Sequence, residues 1–244
     1  MKTLGKHNPL VKELARLSDA RARREQGRFL VEGPRSVREL LASDLEVEML
    51  LGPWPDPVPG AELYEVEPAV LERISPAETC QGVLAVARLP EPAPVLEGAS
   101  LLVCEEISDP GNLGTLLRTA RASGTAGALL VGGADPYAPK VVRAAAGALF
   151  HLPVARVETW PLLEGFEGVA TVVEGGTNLY TAELPARPAW FVGSEAHGLS
   201  AAALAAARHR VTIPMRSGES LNVAISAAIV MFDWLRRQEV SNPR

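Results

Sequence analysis

The sequence predicts an α/β protein whose larger part is a mostly parallel sheet covered by helices on both faces. Three observations carry this. Beyond residue 99, strand-like and helix-like segments alternate. The strand-like segments are near-continuous apolar runs such as "LLVCEEI" and "AWFVGSE", as strands buried on both faces require. Several of these runs stop in Gly-rich, polar turns, the place where ligands of open parallel sheets bind.

The elements follow in chain order. A basic helix is expected over residues 8–17 and a second over 34–42, with short strands at "FLVEG", "EVEMLLG" and "GVLAVARL". Together they read as a small mixed α/β domain over residues 1–90. Residues 91–98 belong to "LPEPAPVLEG", whose three prolines continue neither a helix nor a central strand, so this segment reads as a semi-rigid linker. The second domain spans 99–244. Its expected order is "LLVCEEI", the helix "NLGTLLRTARASG", "GALLVGG", the helix "PKVVRAAAGALF", "LPVARV", a short helix, "VATVVE", "AWFVGSE", the helix "AAALAAARHR", "RVTIPM" and a last helix in "SGESLNVAISAAIVMFDWLRR". In that last helix Val223, Ile225, Ala228, Ile229, Phe232 and Leu235 recur at helical spacing and are expected to face a core.

Composition narrows the function. With 47% hydrophobic and 22% charged residues the chain has ample material for a packed core. No segment has the length and apolarity of a membrane span or signal peptide, so a soluble cytoplasmic protein is expected. Cys80, Cys104 and four scattered histidines have no metal-ligand spacing, and no metal site is expected. The net charge of -5 conceals a pattern. Residues 1–38 hold ten Lys and Arg against four acids, residues 39–98 two against twelve, and the remainder twelve against thirteen. A basic amino-terminal surface is a recognised hint of a nucleic-acid partner, with a solvated amphipathic helix as the alternative, and Lys6, Lys12, Arg16, Arg24 and Arg28 are the candidates for nucleic-acid phosphates.

Three strand ends gather chemistry. After "LLVCEEI", Asp109, Pro110 and Gly111 read as a turn and Asn112 as a cap of the next helix. Arg118 lies under two turns further on, its long side chain leaning back toward the loop. After "AWFVGSE", Gly193 and Gly198 permit close backbone approach and Glu195 delivers a carboxylate. After "RVTIPM", Ser220 and Asn222 open the last helix, where hydroxyl and amide side chains cap free N–H groups or hold a ligand beside them. Neither G-x-G-x-x-G nor G-x-x-x-x-G-K-[ST] nor G-x-S-x-G occurs, which removes the usual warrants for a dinucleotide dehydrogenase, a P-loop enzyme and a serine hydrolase.

Taken together, "NLGTLLRTARASG", "FVGSEAHGLS" and "IPMRSGESLNVAISAA" resemble, in order and spacing, the three motifs of the SpoU or TrmH family of SPOUT RNA ribose 2'-O-methyltransferases. The resemblance covers about residues 99–237. The amino-terminal segment is similar to the L30e-like substrate-binding domain that often precedes this catalytic domain. The resemblance implies a Rossmann-like SPOUT domain with a deep carboxyl-terminal trefoil knot, and S-adenosylmethionine as cofactor, with Gly193, Ile213 and Leu221 at its binding positions and Met215 nearby. It places the family's functional positions on Asn112, Arg118, Glu195, Ser220 and Asn222, and it implies a homodimer. Ala196, and Ala145 or Ala146, depart from the family's usual Gly and Ser. The substrate implied is RNA, with 23S ribosomal RNA ahead of transfer RNA. A noncatalytic RNA-binding protein of the same fold is the alternative.

Overall fold

The computed structural model describes residues 2–77, 79–91, 98–160 and 163–241. The chain divides into two compact units, one made of Met1–Glu91 with Asp135–His151, the other of Pro92–Ala134 with Leu152–Arg244. Of the expected linker over 91–98, residues 92–97 lie outside the described residues.

The first unit opens with β1 (Lys2–Leu4), α1 (Pro9–Ala15), a 3-10 turn at Arg16–Ser18 and α2 (Ala20–Gln26). The single helix expected over 8–17 is thus shorter than foreseen, because Asp19 starts a new one. Its carboxylate accepts the N–H groups of Arg21 at 2.9 Å and Ala22 at 3.0 Å, and Gly27 ends the helix at φ +66°. There follow β2 (Arg28–Glu32), α3 (Pro34–Leu41), β3 (Val47–Leu51), β4 (Glu62–Val66), α4 (Pro68–Ile74) and β5 (Leu84–Arg88). The sheet order is β1-β4-β3-β5-β2, with β5 antiparallel to both neighbours and the other pairs parallel. Leu14, Leu17, Leu30, Leu51, Leu84 and Val86 fill the core against α1 and α4. The strands and helix expected at 29–33, 46–52, 82–89 and 34–42 are present as β2, β3, β5 and α3, while β1, α2, β4 and α4 were not foreseen.

The second unit begins with β6 (Leu101–Glu105), α5 (Pro110–Ala122) and β7 (Ala128–Val131). The next segment, with α6 (Pro139–Ala145), clusters with the first unit. There Tyr137 and Phe150 stack near Phe29, with ring centroids 5.0 and 6.3 Å away, and the buried Arg23 pairs with Asp135 at 2.6 Å. The second unit resumes with β8 (Val154–Val157), β9 (Glu167–Thr171), β10 (Thr177–Asn178), β11 (Pro188–Val192), α7 (Ala201–Ala206), β12 (His209–Thr212) and α8 (Val223–Ser241). No helix appears among the described residues between β8 and β9, where a short one was expected.

Seven strands form one sheet in the order β10-β12-β9-β11-β6-β7-β8, and every pairing is parallel. The fold class read from the sequence is therefore correct: α/β with a mostly parallel sheet. Register brings the carboxyl ends of the central strands level, Val192 opposite Cys104 and Phe191 opposite Ala170. Among the described residues no helix is long and apolar enough to cross a membrane.

The last helix corrects one expectation. Its buried face is Ala224, Ala227, Val230, Met231 and Trp234, whereas Ile225 and Phe232 are 53% and 45% exposed. Both faces of α8 are apolar, so periodicity reveals that stripes exist without telling which packs inward. The small alanines win because they let the helix approach closely, and Trp234 closes the contact edge-on against Trp190 and by donating to the carbonyl of Pro185 at 3.1 Å.

Candidate active site

Asp109, rather than Asn112, caps α5. Its Oδ1 accepts the Asn112 N–H at 2.7 Å, and Pro110 takes the first helical position, where a missing N–H costs nothing. Asn112 therefore sits inside the first turn with its side-chain amide available for other partners.

The loop after β11 runs over residues 193–200. Gly193 begins it at a point where an added Cβ would overlap the carbonyl carbon of Gly198, so the two backbone segments touch. The Gly198 N–H donates to the Ser194 carbonyl at 2.8 Å and closes the loop on itself. At its far end, Ser200 donates twice to the buried Glu105 carboxylate, from N–H at 2.7 Å and from the hydroxyl at 2.6 Å. Ser200 Oγ in turn accepts the Ala203 N–H and caps α7.

The connection from β12 to α8 ends in Asn222, whose Oδ1 accepts the N–H groups of Ala224 at 2.9 Å and Ile225 at 3.3 Å. Asn222 alone is the cap: Ser220 makes no capping bond and stands on the loop before it, because the helix begins three residues later at Val223. With Oδ1 committed to the helix, Asn222 presents its Nδ2 to Asn112 Oδ1 at 2.9 Å. That contact fills the acceptor of Asn112 and turns its Nδ2 to Glu195 Oε1 at 2.7 Å. Each amide orientation is set by its neighbour, in a polarised chain from the start of α8 to a carboxylate.

A cleft of about 570 Å³ opens beside this chain, at the carboxyl ends of β9, β11 and β12. Gly193, Ile213, Met215 and Leu221 line it, as do Glu195, Ser220 and Asn222. Asn112 borders it through its bonds to Glu195 and Asn222. Arg118 does not line it: the guanidinium is exposed on α5 and has no hydrogen-bond or carboxylate partner among the described residues. Thr171, Val172 and Val173 form a wall that sequence reasoning missed, as did His197, Leu199 and Ser226. The double glycine at 175 and 176, just after "VATVVE", was the available signal for the first three. Glu195 is the single carboxylate lining a cleft otherwise built of aliphatic side chains, small polar groups and loop backbone. No cluster of His, Cys, Asp and Glu suited to a metal occurs among the described residues.

The candidate RNA-binding cations are unequal. Lys6, Lys12 and Arg24 are exposed and unpaired among the described residues. Arg16 lies 3.9 Å from Glu25, and Arg28 is held by Glu13 at 3.1 Å and by Glu48 at 2.7 Å.

An all-parallel sheet with an aliphatic, backbone-rich cleft at its carboxyl edge, and a carboxylate aimed by two amides, defines an α/β enzyme site for a small ligand without a phosphate cradle. The chain belongs to the SpoU rRNA methylase family, whose model matches residues 99–232, and residues 8–85 match the MRM3-like substrate binding domain. Among curated proteins it is 31% identical to the Bacillus subtilis 23S rRNA guanosine 2'-O-methyltransferase RlmP, over 92% of this chain and 95% of that one. Among solved structures it is similar to the AdoMet-bound rRNA methyltransferase of Sinorhizobium meliloti, at 29% identity and TM-score 0.87, covering 97% of this chain and 98% of the other. It is also similar to the SpoU methyltransferase AviRb of Streptomyces viridochromogenes in complex with AdoMet, at 26% identity and TM-score 0.84, covering 95% and 98%.

Proposed function

We propose that this chain transfers a methyl group from S-adenosylmethionine to a ribose 2'-hydroxyl of RNA. The observation that carries the reading is the Asn222, Asn112 and Glu195 chain at the rim of the cleft. The cleft suits such a cofactor: Val172, Val192, Leu199 and Leu221 offer aliphatic walls to a purine, and the loops offer backbone groups to its edge. Gly193, Ile213, Met215 and Leu221 would hold it. The cofactor supplies an electrophilic methyl on a sulfonium, so what remains for the protein is to position the hydroxyl and exclude water.

Glu195 keeps one oxygen on Asn112, and no protein donor binds the other among the described residues, which fits it to accept from the target ribose. Ser220 and Asn222, which also line the cleft, orient that ribose. Arg118 clamps the adjacent phosphate and polarises the hydroxyl, since a guanidinium, always charged, is a poor proton acceptor and a good fork for phosphate. On this reading Arg118→Lys, which keeps the charge and loses the fork, lowers kcat by about tenfold or more. Near-normal turnover would overturn the clamp.

Ribosomal RNA is the substrate favoured over transfer RNA, because RlmP and the Sinorhizobium meliloti enzyme, each similar over more than nine-tenths of this chain, are named as rRNA methyltransferases. We place residues 1–90 and 99–244 as the substrate-binding and catalytic domains, the latter with a knotted carboxyl-terminal part, and the enzyme in the cytoplasm. A homodimer is supported by Ile225 and Phe232, an apolar pair one heptad apart left 53% and 45% exposed on α8.

The deciding experiment incubates the protein with labelled S-adenosylmethionine and unmodified ribosomal or transfer RNA transcripts, followed by alkaline digestion. Label in alkali-resistant dinucleotides from ribosomal RNA is the expected result. Cofactor binding with no label in either RNA would overturn the reading in favour of a noncatalytic RNA-binding protein.

A further inference from the structure

The basic amino-terminal stretch was expected to be the RNA-binding element, yet much of its charge is spent within the protein. Arg21 and Arg16 share Glu25, Arg28 is held by Glu13 and Glu48, and Arg23 is buried on Asp135. A different part of the same unit keeps its charge available. On α3, Arg35 and Arg38 are exposed, and on α6, Lys140 and Arg143 are exposed. Among the described residues none of the four side chains has a carboxylate within ion-pair distance or a hydrogen-bond partner.

The two helices are neighbours. Both belong to the first unit, Ser36 and Arg143 line one small cavity, and Gly147, just beyond α6, lies so close to α3 that an added Cβ would sit 2.8 Å from the Glu39 side chain. Gly147 adopts φ +88°, a conformation that favours glycine, so residue type and backbone agree in bringing the two segments together. Glu39 is the one carboxylate within α3 and α6. By contrast, the stretch of α1 and α2 interleaves five cations with three acids.

We propose that the face built by α3 and α6 is the main RNA-backbone contact of the first unit, with Arg35, Arg38, Lys140 and Arg143 on phosphates. This rests on the reading of the protein as an RNA methyltransferase. The partner class follows from chemistry. Four unpaired cations suit a polyanion, the nearby Glu32 of the shared cavity being occupied by Ser75 and Gln81, and Arg35 and Arg38, one on either side of Ser36, can each take phosphate oxygens in pairs. Half of this face comes from a segment that the sequence assigns to the catalytic half of the chain. The substrate-binding unit is thus electrostatically completed by residues 135–151.

The test measures binding of the full-length protein to a labelled ribosomal RNA transcript across a salt series. Four versions are compared: the natural protein, Arg35→Gln with Arg38→Gln, Lys140→Gln with Arg143→Gln, and Lys6→Gln with Lys12→Gln and Arg24→Gln. S-adenosylmethionine affinity, measured alongside, is expected to be unchanged in all four and reports that the fold is intact. Each pair on α3 or α6 should weaken RNA binding by about tenfold and reduce the slope of log affinity against log salt by about 1–2. The triple variant should have a smaller effect than either pair. Unchanged affinity and slope in both pairs, with cofactor binding retained, would overturn the proposed face while leaving the RNA methyltransferase reading intact. Failure of the natural protein to bind RNA at all, with cofactor bound, would instead overturn the reading beneath it and the face with it.

Discussion

Asn222 donates to Asn112 at 2.9 Å across 110 residues of sequence, and this contact joins the start of the last helix to the first turn of α5. Because the Asn222 oxygen is already occupied by two helix N–H groups, its amide has one orientation, and so in turn does Asn112. Helix capping and site geometry are therefore one arrangement.

Separating them gives the first prediction. Asn222→Ala removes both functions and is expected to destabilise the protein by about 1 kcal/mol, the usual worth of a cap. It should also lower kcat by about a hundredfold, since a misaimed reacting group costs about that much. Asn112→Ala removes only the aim, because Asp109 caps α5 without it. Chemical denaturation and single-turnover methyl transfer on the two variants check the split, and equal stability losses would contradict it.

Glu105 ties the cofactor-side loop to the end of β6 through both donors of Ser200. Glu105→Ala removes the charged acceptor of both Ser200 donors, a loss of about 1.5–3 kcal/mol. The loosened loop should raise KM for S-adenosylmethionine by about tenfold while kcat at saturation changes little. Glu105→Gln, which still accepts one bond, should restore most of the affinity. Steady-state methyl transfer over a range of cofactor concentrations measures both, and a fall in kcat with KM unchanged would refute the assignment.

The exposed apolar stripe of α8 yields a prediction about assembly. Ile225→Asp with Phe232→Asp puts two charges on a surface that the proposed dimer buries, and sedimentation should then show a monomer at micromolar concentration where the natural protein is dimeric. Since both residues point away from the core, far-ultraviolet circular dichroism should be unaltered. A monomeric natural protein with full activity would exclude the dimer.

Stability toward acid should report the cap of α2. The Ala22 N–H, followed by the Arg21 N–H and the nearby Arg23 and Arg16 charges, holds the Asp19 carboxyl below its ordinary value. A carboxyl depressed in the folded state adds stability that is fully present above its unfolded value, about 3.9, and disappears as pH falls through the folded value. The Tm advantage of the natural protein over Asp19→Ala is expected to be constant near pH 6 to 7 and to shrink below about pH 4. Asp19→Asn should keep the cap without that pH dependence, as thermal melts at both ends of the range would reveal.

Sequence patterns fixed the parallel sheet and three of the loops of the site, because long apolar strands bounded by Gly, Asn and Glu leave few other readings. They were silent where the deciding information is three-dimensional. Which face of α8 packs inward depends on the sheet beneath it, and Val172 and Val173 carry no polar mark of a cleft wall. The cap of α5 fell on Asp109 because a carboxylate three residues ahead of an N–H captures it before an asparagine inside the helix can. Arg28 looked free until strand order brought β2 beside β5 and Glu48 within reach. The allegiance of residues 135–151 is likewise invisible locally, since Pro139 to Ala145 reads as a helix whichever core it covers.

That allegiance limits how the protein can be recombined. Arg23 is 2% exposed and depends on Asp135, and Phe29 is covered by Tyr137 and Phe150, all three from the inserted segment. Cut from the chain at the proline-rich connector, the first unit would lose the carboxylate that pairs with Arg23. It would also bare an aromatic core. The substrate-binding part is therefore not a module that can be grafted at one seam: exchange between relatives must carry residues 135–151 along with the amino-terminal segment, or the transplanted piece arrives without part of its own interior.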